Sequence, residues 1–254
     1  MDSARSIPAP DRSGDTLHWR VTGALTPAAP PRPPVVLLHG LASNLSRWSE
    51  FVAHTRLANS HDVLRVDLRG HGASQTRRKL SLELWSADLA ALLAAAASSR
   101  PILVGHSLGA QVALHFAATH PQRAFALVLI DPVFRTALHG KWQRIARYGP
   151  LFAVGAALIR TLNALGLRRR QVPVLDLEQL VELFRPLPPP ATFALPVLVL
   201  LSSGATFATL ADTRAIAAGF PQGEVDTIDC HHWPLTERPV EVRERIERWI
   251  DALD

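Results

Sequence analysis

The pentapeptide Gly105-His106-Ser107-Leu108-Gly109 joins a hydroxyl to the kind of backbone that could expose it. Ile102 to Val104 reads as a short buried strand before it, and Leu108 to Ala118, rich in Ala and Leu, reads as a helix after it. The chain must therefore reverse at Ser107. Glycines at 105 and 109 remove the two Cβ atoms that would collide with a neighbouring strand or helix in so sharp a bend. A serine held there projects above the sheet edge, and the first unpaired N–H of the helix, that of Leu108, points toward any oxyanion formed beside it. The chemistry this suits is nucleophilic attack on a carbonyl carbon.

A hydroxyl is a weak nucleophile at neutral pH, so a histidine must take its proton during attack and return it to the leaving group. The chain carries eleven histidines, and they are not equivalent. His115 and His120 read as helix and helix-end residues, and their spacing does not match a metal pair at i and i+4. Cys230, beside His231, has no elbow of its own and is not read as a nucleophile.

The elements that must position these groups alternate. Thr16 to Thr22 is patterned as an edge strand, Val35 to Leu38 as a buried strand, Ser46 to Leu57 as a short helix and Val63 to Asp67 as the next strand. Ser81 to Ala97 repeats its apolar residues at helical spacing with Ser81 as a cap. After the serine-bearing unit come a strand at Ala126 to Ile130, one at Pro196 to Leu201, a helix from Leu210 to Phe220, a strand at Glu224 to Ile228 and a terminal helix from Val240 to Leu253. Short apolar strands alternating with amphipathic helices predict an α/β fold with a mostly parallel, doubly wound sheet. Residues 1–15 lack periodicity and read as a disordered tail, and Pro27 to Pro34 as a connector. Residues 16–132 and 194–254 form the core. Residues 133–193, with helix-like stretches and many arginines, read as a helical cap insertion.

With 254 residues, 48% of them hydrophobic and 19% charged, the chain can bury a large core. A single cysteine excludes an internal disulfide, and the polar first fifteen residues lack the apolar segment of a signal peptide. A cytoplasmic location is the default expectation. Tyr148 to Leu167 is interrupted by Arg160 and Asn163 and is read as a lid or buried helix in preference to a bilayer span. The net charge of +5 comes with arginines at 144, 147, 160 and 168–170. These read as a solvated face before a membrane-contacting or anion-binding patch, and no aromatic residues interleave with Arg168 to Arg170 as nucleic-acid binding would favour. No metal cluster, dinucleotide fingerprint or phosphate loop is visible, so no cofactor is expected. The oligomeric state is left open.

Three motifs in order, Leu38-His39-Gly40, Asp67-Leu68-Arg69-Gly70-His71-Gly72-Ala73-Ser74 and the elbow itself, resemble the α/β-hydrolase family from about Thr16 to Leu253. The resemblance implies a serine nucleophile, a histidine base near the C-terminus, an acid between them in chain order and an oxyanion hole. His232, in His232-Trp233-Pro234-Leu235-Thr236-Glu237-Arg238-Pro239, is similar to the family's histidine loop; His231 stands where the family usually has glycine and is the alternative. His39, His71 and His106 are read as shaping the loops around the site.

The acid departs from the commonest pattern. Family members usually carry it after the strand written here as Val197 to Leu201, yet Ser202 to Ala208 contain no carboxylate. Asp131 is the favoured acid, at the end of the strand that follows the serine-bearing one. Its other reading is a strand terminator in an Asp-Pro turn, with Asp212, or a dyad without any acid, as alternatives. The resemblance places the second oxyanion donor at Leu41 N–H beside Leu108 N–H.

Together these residues imply a serine hydrolase working through an acyl-enzyme, with carboxylic esters bearing a lipophilic group as the default substrate. A serine at the elbow argues against relatives that form an alkyl ester on aspartate. Phe134, Trp142, Leu151, Phe152, Val154, Leu158, Ile159, Leu162 and Leu165 of the insertion favour a lipophilic group if they face the pocket, or else pack the cap onto the core. The same elbow serves C–C bond hydrolases, lactonases, thioesterases and perhydrolases. A non-catalytic binding protein on the same fold is the reading from another class.

Overall fold

A computed structural model describes residues 2–23, 32–96, 100–148, 151, 154, 158, 161, 175–204 and 207–253. Eight strands form one sheet: β1 (Asp2–Pro8), β2 (Thr16–Thr22), β3 (Val35–Leu38), β4 (Val63–Val66), β5 (Ile102–His106), β6 (Ala126–Ile130), β7 (Val197–Ser202) and β8 (Gly223–Ile228). Their spatial order is β1-β2-β4-β3-β5-β6-β7-β8. Pairing is antiparallel for β1 with β2 and β2 with β4, and parallel from β4 through to β8.

The apolar runs are buried along their whole length in β3 to β7, as strands covered on both faces must be. Period-two alternation divides them between two cores. Val36, Leu38, Leu103, Leu127, Leu129, Val199 and Leu201 face one, with Trp85 and Leu92 of α2 (Leu82–Ala95) and Phe116 of α3 (Leu108–Thr119). Val35, Leu37, Val104, Val128 and Leu200 face the other. That side is covered by Phe51 of α1 (Ser49–His54) and by Val242, Ile246 and Ile250 of the last helix (Pro239–Asp251). Ser81 caps α2 as its sequence position suggests, its Oγ accepting from Leu84 N–H at 3.1 Å. Among the described residues no helix is long and apolar enough to cross a membrane.

The first fifteen residues do not form a loose tail, which corrects the reading from composition. Asp2–Pro8 pairs with Thr16–Thr22 along its length. The cause is charge. Arg65 in β4 and Arg69 in the following loop are both buried, and an unpaired buried guanidinium costs several kcal/mol. Asp2 reaches Arg65 at 2.6 Å and Arg20 at 2.8 Å. Asp11, at 2.8 Å, and Asp15, at 3.4 Å, meet Arg69, which also binds Asp88 of α2. Polar residues that lack a hydrophobic period are here the counter-charges of the core.

Among the described residues between β6 and β7 lie two α-helices, α4 (Gly140–Arg147) and α5 (Leu175–Leu183). Phe152, Ile159, Arg160, Leu162, Leu165 and Arg168 to Arg170 lie outside the described residues, as does most of Pro27 to Pro34. The face of α5 that carries Glu178, Gln179 and Glu182 is buried because it answers unpaired backbone donors. Glu178 accepts from Leu80 N–H and Glu182 from Leu82 N–H, each at 3.0 Å, where carboxylates suit the N-terminus of α2. Gln179 Oε1 accepts from Ala42 N–H at 3.2 Å, tying the insertion to the loop after β3. Leu151, Val154 and Leu158 are exposed, so they do not pack the insertion onto the core as one of the sequence readings supposed.

Candidate active site

Strands β5 and β6 lie side by side, and each is followed directly by a residue of positive φ: Ser107 at 51° and Asp131 at 45°. Neither is glycine, so both hold sterically costly backbone that the surrounding structure must enforce. The enforcement at Ser107 is visible in the glycines. A Cβ at Gly105 would lie 2.4 Å from the Gly109 carbonyl, and one at Gly109 would lie 2.3 Å from the Leu38 carbonyl oxygen. These are backbone atoms that cannot step aside. Gly109→Ala is therefore expected to destabilise the fold by about 3 kcal/mol or more, the upper end for overpacking, read as a lower urea midpoint.

The bend delivers Ser107 Oγ to His232. The two approach at 3.1 Å, Oγ–H donating to Nε2 when the other ring nitrogen carries the proton. On the far side of the ring, Nδ1 lies 3.2 Å from Asp131 Oδ2, an acceptor that fixes this tautomer. All three residues are buried. Asp131 is itself held by Ser202, the last residue of β7, whose N–H donates to Oδ1 at 2.7 Å and whose Oγ–H donates to Oδ2 at 2.5 Å. Burial pushes the Asp131 carboxyl up, but the hydrogen bonds from His232 and Ser202 outweigh it and hold the group below its ordinary value.

The other candidates fall elsewhere. His231 is exposed and faces Glu237 at 3.2 Å. Asp212 is exposed and pairs with His139 at 2.7 Å. Cys230 is buried, its thiol pushed up by burial, and donates to Ser202 Oγ at 3.4 Å. Neither Leu41 N–H nor Leu108 N–H, the latter directly after Ser107, donates to a protein acceptor among the described residues.

Loops on either side are pinned by side chains of the three motifs. Asp67 accepts from Leu45 N–H at 2.7 Å and from Ala73 N–H at 2.9 Å, so one carboxylate joins the loops after β3 and β4. His39 accepts from Leu68 N–H through Nε2 at 3.1 Å and donates to Gly40 O through Nδ1 at 2.9 Å. His106 Nε2 lies 3.1 Å from the His232 carbonyl oxygen. His106, Asp131 and His232 also come close enough to hold an ion, their ligand atoms lying within 4.8 Å. The ring nitrogens of His232 are, however, engaged by Ser107 and Asp131, and His106 Nε2 by the His232 carbonyl, so an ion held through His232 would break one of those contacts.

Burial lowers His39 to about 3, and burial with the neighbouring His232 lowers His106 to about 4. A base whose folded value is depressed costs stability as pH falls below its unfolded value, because only the unfolded chain takes the proton. Asp88 works the other way, raised to about 6 by burial despite Arg69 beside it, so it takes up a proton on folding in the same window. Burial also lowers His115, so between pH 6 and 4.5 three depressed bases oppose one raised acid. Stability is expected to fall on acidification by about 1.4 kcal/mol per pH unit or more, at least one net proton's worth, in urea titrations across that range.

The fold and this geometry define an α/β-hydrolase. The sequence profile of that family, described as alpha/beta hydrolase fold, matches residues 33–191, and the chain belongs to it. Among similar proteins, Lipase LipV of Mycobacterium tuberculosis is 34% identical over 118 residues, 46% of this chain and 42% of that protein. A putative esterase/lipase of Haemophilus influenzae is 30% identical over 99 residues, 39% of this chain and 34% of that protein. The chain thus spans less than half the length of these relatives. A thermophilic esterase from Thermogutta terrifontis superposes with a TM-score of 0.72 at 22% identity, over 99% of both chains, which supports the fold.

Two contributors were not legible beforehand. Ser202 opens the stretch after β7 that carries no carboxylate, and its hydroxyl serves the acid of the neighbouring strand instead. Phe207 packs edge-on against His232 with ring centroids 4.7 Å apart, and joins Trp142 and Phe184 in an aromatic group above it. No spacing rule connects residues this far apart in sequence.

Proposed function

We propose that the chain is a serine hydrolase that cleaves carboxylic esters bearing a lipophilic group through an acyl-enzyme on Ser107. The observation that carries this reading is the unbroken line from Ser107 Oγ to His232 at 3.1 Å and from His232 to Asp131 at 3.2 Å. As Ser107 Oγ bonds to the ester carbonyl carbon, its proton passes to His232 Nε2 and the carbonyl oxygen becomes an oxyanion facing Leu41 and Leu108 N–H. The tetrahedral intermediate collapses, the C–O bond to the alcohol breaks, and the imidazolium returns its proton to that leaving oxygen. Water then repeats the sequence, with His232 as base, and releases the carboxylic acid and free Ser107. Asp131 stabilises the imidazolium and is not itself protonated.

Residues 133–193 act in this reading as a cap over the core. The aromatic group of Trp142, Phe184 and Phe207 beside His232 supports a lipophilic substrate, as do the esterase and lipase names among the relatives. An organofluorophosphonate tests the reaction class. The native protein should take up one phosphonyl group, mapped to Ser107, and the urea-unfolded protein none. A native protein that stays unlabelled and inert toward p-nitrophenyl esters of rising chain length is a binding protein instead. Product analysis separates ester hydrolysis from lactone, thioester, C–C and perhydrolytic chemistry.

A further inference from the structure

Beside the wall formed by Val133 and Phe134 lies a second cavity, of about 660 Å³, within the range of about 300–1,000 Å³ typical of ligand sites. The same wall borders the small hole behind Asp131 and His232, but Ser107, His232, Leu41 and Leu108 do not line the larger cavity. Its floor is apolar: Leu114, Val133, Phe134, Phe193 and Phe220, with the proline run 186–190 along one side. Charge in its lining has one sign. Arg135, Arg147 and Arg185 contribute to it, and among the described residues no Asp or Glu does.

The arginines are not equally committed. Arg185 pairs with Glu83 and with Glu182, and Arg135 donates to the Phe184 carbonyl at 3.4 Å. Arg147, at the C-terminal end of α4, is exposed and makes no ion pair or hydrogen bond among the described residues. The wall itself is fixed in advance. Gln111, buried on α3, donates through Nε2 to the carbonyls of both Val133 and Leu183, which joins the insertion to the core at the edge of the cavity. An apolar space already formed, ringed by cations with one guanidinium unspent, matches a ligand with a hydrocarbon tail and an anionic head.

We propose that this cavity binds one medium-chain carboxylate, its tail on the Leu114–Phe134–Phe220 floor and its head on Arg147, at a site separate from Ser107. The inference does not require Ser107 to be catalytic. Isothermal titration of the full chain with decanoate tests it, with decanol and butyrate as controls for head and tail. Decanoate should bind one per chain, decanol and butyrate each about tenfold or more weaker. Arg147→Glu, a change at an exposed side chain without partners among the described residues, should weaken decanoate by about tenfold or more and leave p-nitrophenyl acetate turnover unchanged. Ser107→Ala should leave decanoate affinity as it was. Ala146→Trp, which projects into the cavity from α4, should abolish binding, with circular dichroism reporting whether the fold is kept. Absence of saturable binding overturns the proposal. So does decanol binding as tightly as decanoate, or decanoate binding that Ser107→Ala or a phosphonyl group on Ser107 changes while Arg147→Glu does not.

Discussion

Replacing Ser107 by alanine is expected to lower kcat for an ester substrate by about 10⁶-fold, because the covalent route disappears while the oxyanion donors remain. His232→Ala should cost about as much, and the double variant no more than either, since the two groups act as one unit through their 3.1 Å contact. Additive losses would mean that serine and histidine work independently, and the acyl-enzyme reading would fail. Backbone integrity is not the concern here. An alanine at 107 keeps the positive φ no worse than serine does, so the urea midpoint should stay near that of the parent and separate lost chemistry from lost fold.

Asp131→Asn should lower kcat by about 10⁴-fold. The amide oxygen can still be held by Ser202, but an amide nitrogen facing His232 Nδ1 favours the tautomer in which Nε2 carries the proton and cannot accept one from Ser107. Geometry offers a further arm. Ser202 Oγ sits 2.5 Å from the Asp131 carboxylate, at the end of the neighbouring strand, so Ser202→Asp places a carboxylate close to the same spot. Added to Asp131→Asn, it should recover part of the lost kcat, while Ser202→Asp in the parent crowds two acids together and should lower it. A merely structural role for Asp131 would predict equal loss of stability in the single and double variants and no recovery.

The parallel sheet was readable because β3, β6 and most of β7 are unbroken apolar runs, and only strands covered on both faces need them. The elbow was readable because Gly105 and Gly109 answer backbone contacts that any version of this bend must make. The acid was harder. Asp131 looks locally like a turn former, and its other role depends on β6 lying between β5 and β7, which spacing along the chain does not state. The N-terminal strand was misread for a related reason: its partners Arg65 and Arg69 sit in segments whose own patterning gives no sign that their charges are buried. Phe207 and Ser202 belong to this class too, as residues whose work is defined by a neighbour far away in sequence.

Asp2, Asp11 and Asp15 make the start of the chain something like a bound counter-ion. It can be imagined as detachable, but only with Arg65 stripped of its carboxylate partner and Arg69 left with Asp88 alone. A version shortened to begin at Thr16 would keep every group near Ser107 and still be expected to precipitate, and a synthetic peptide spanning residues 2–15 should bring it back into solution. Resistance to shortening at that end, far from the reacting atoms, would set the practical limits on fusing or immobilising this protein.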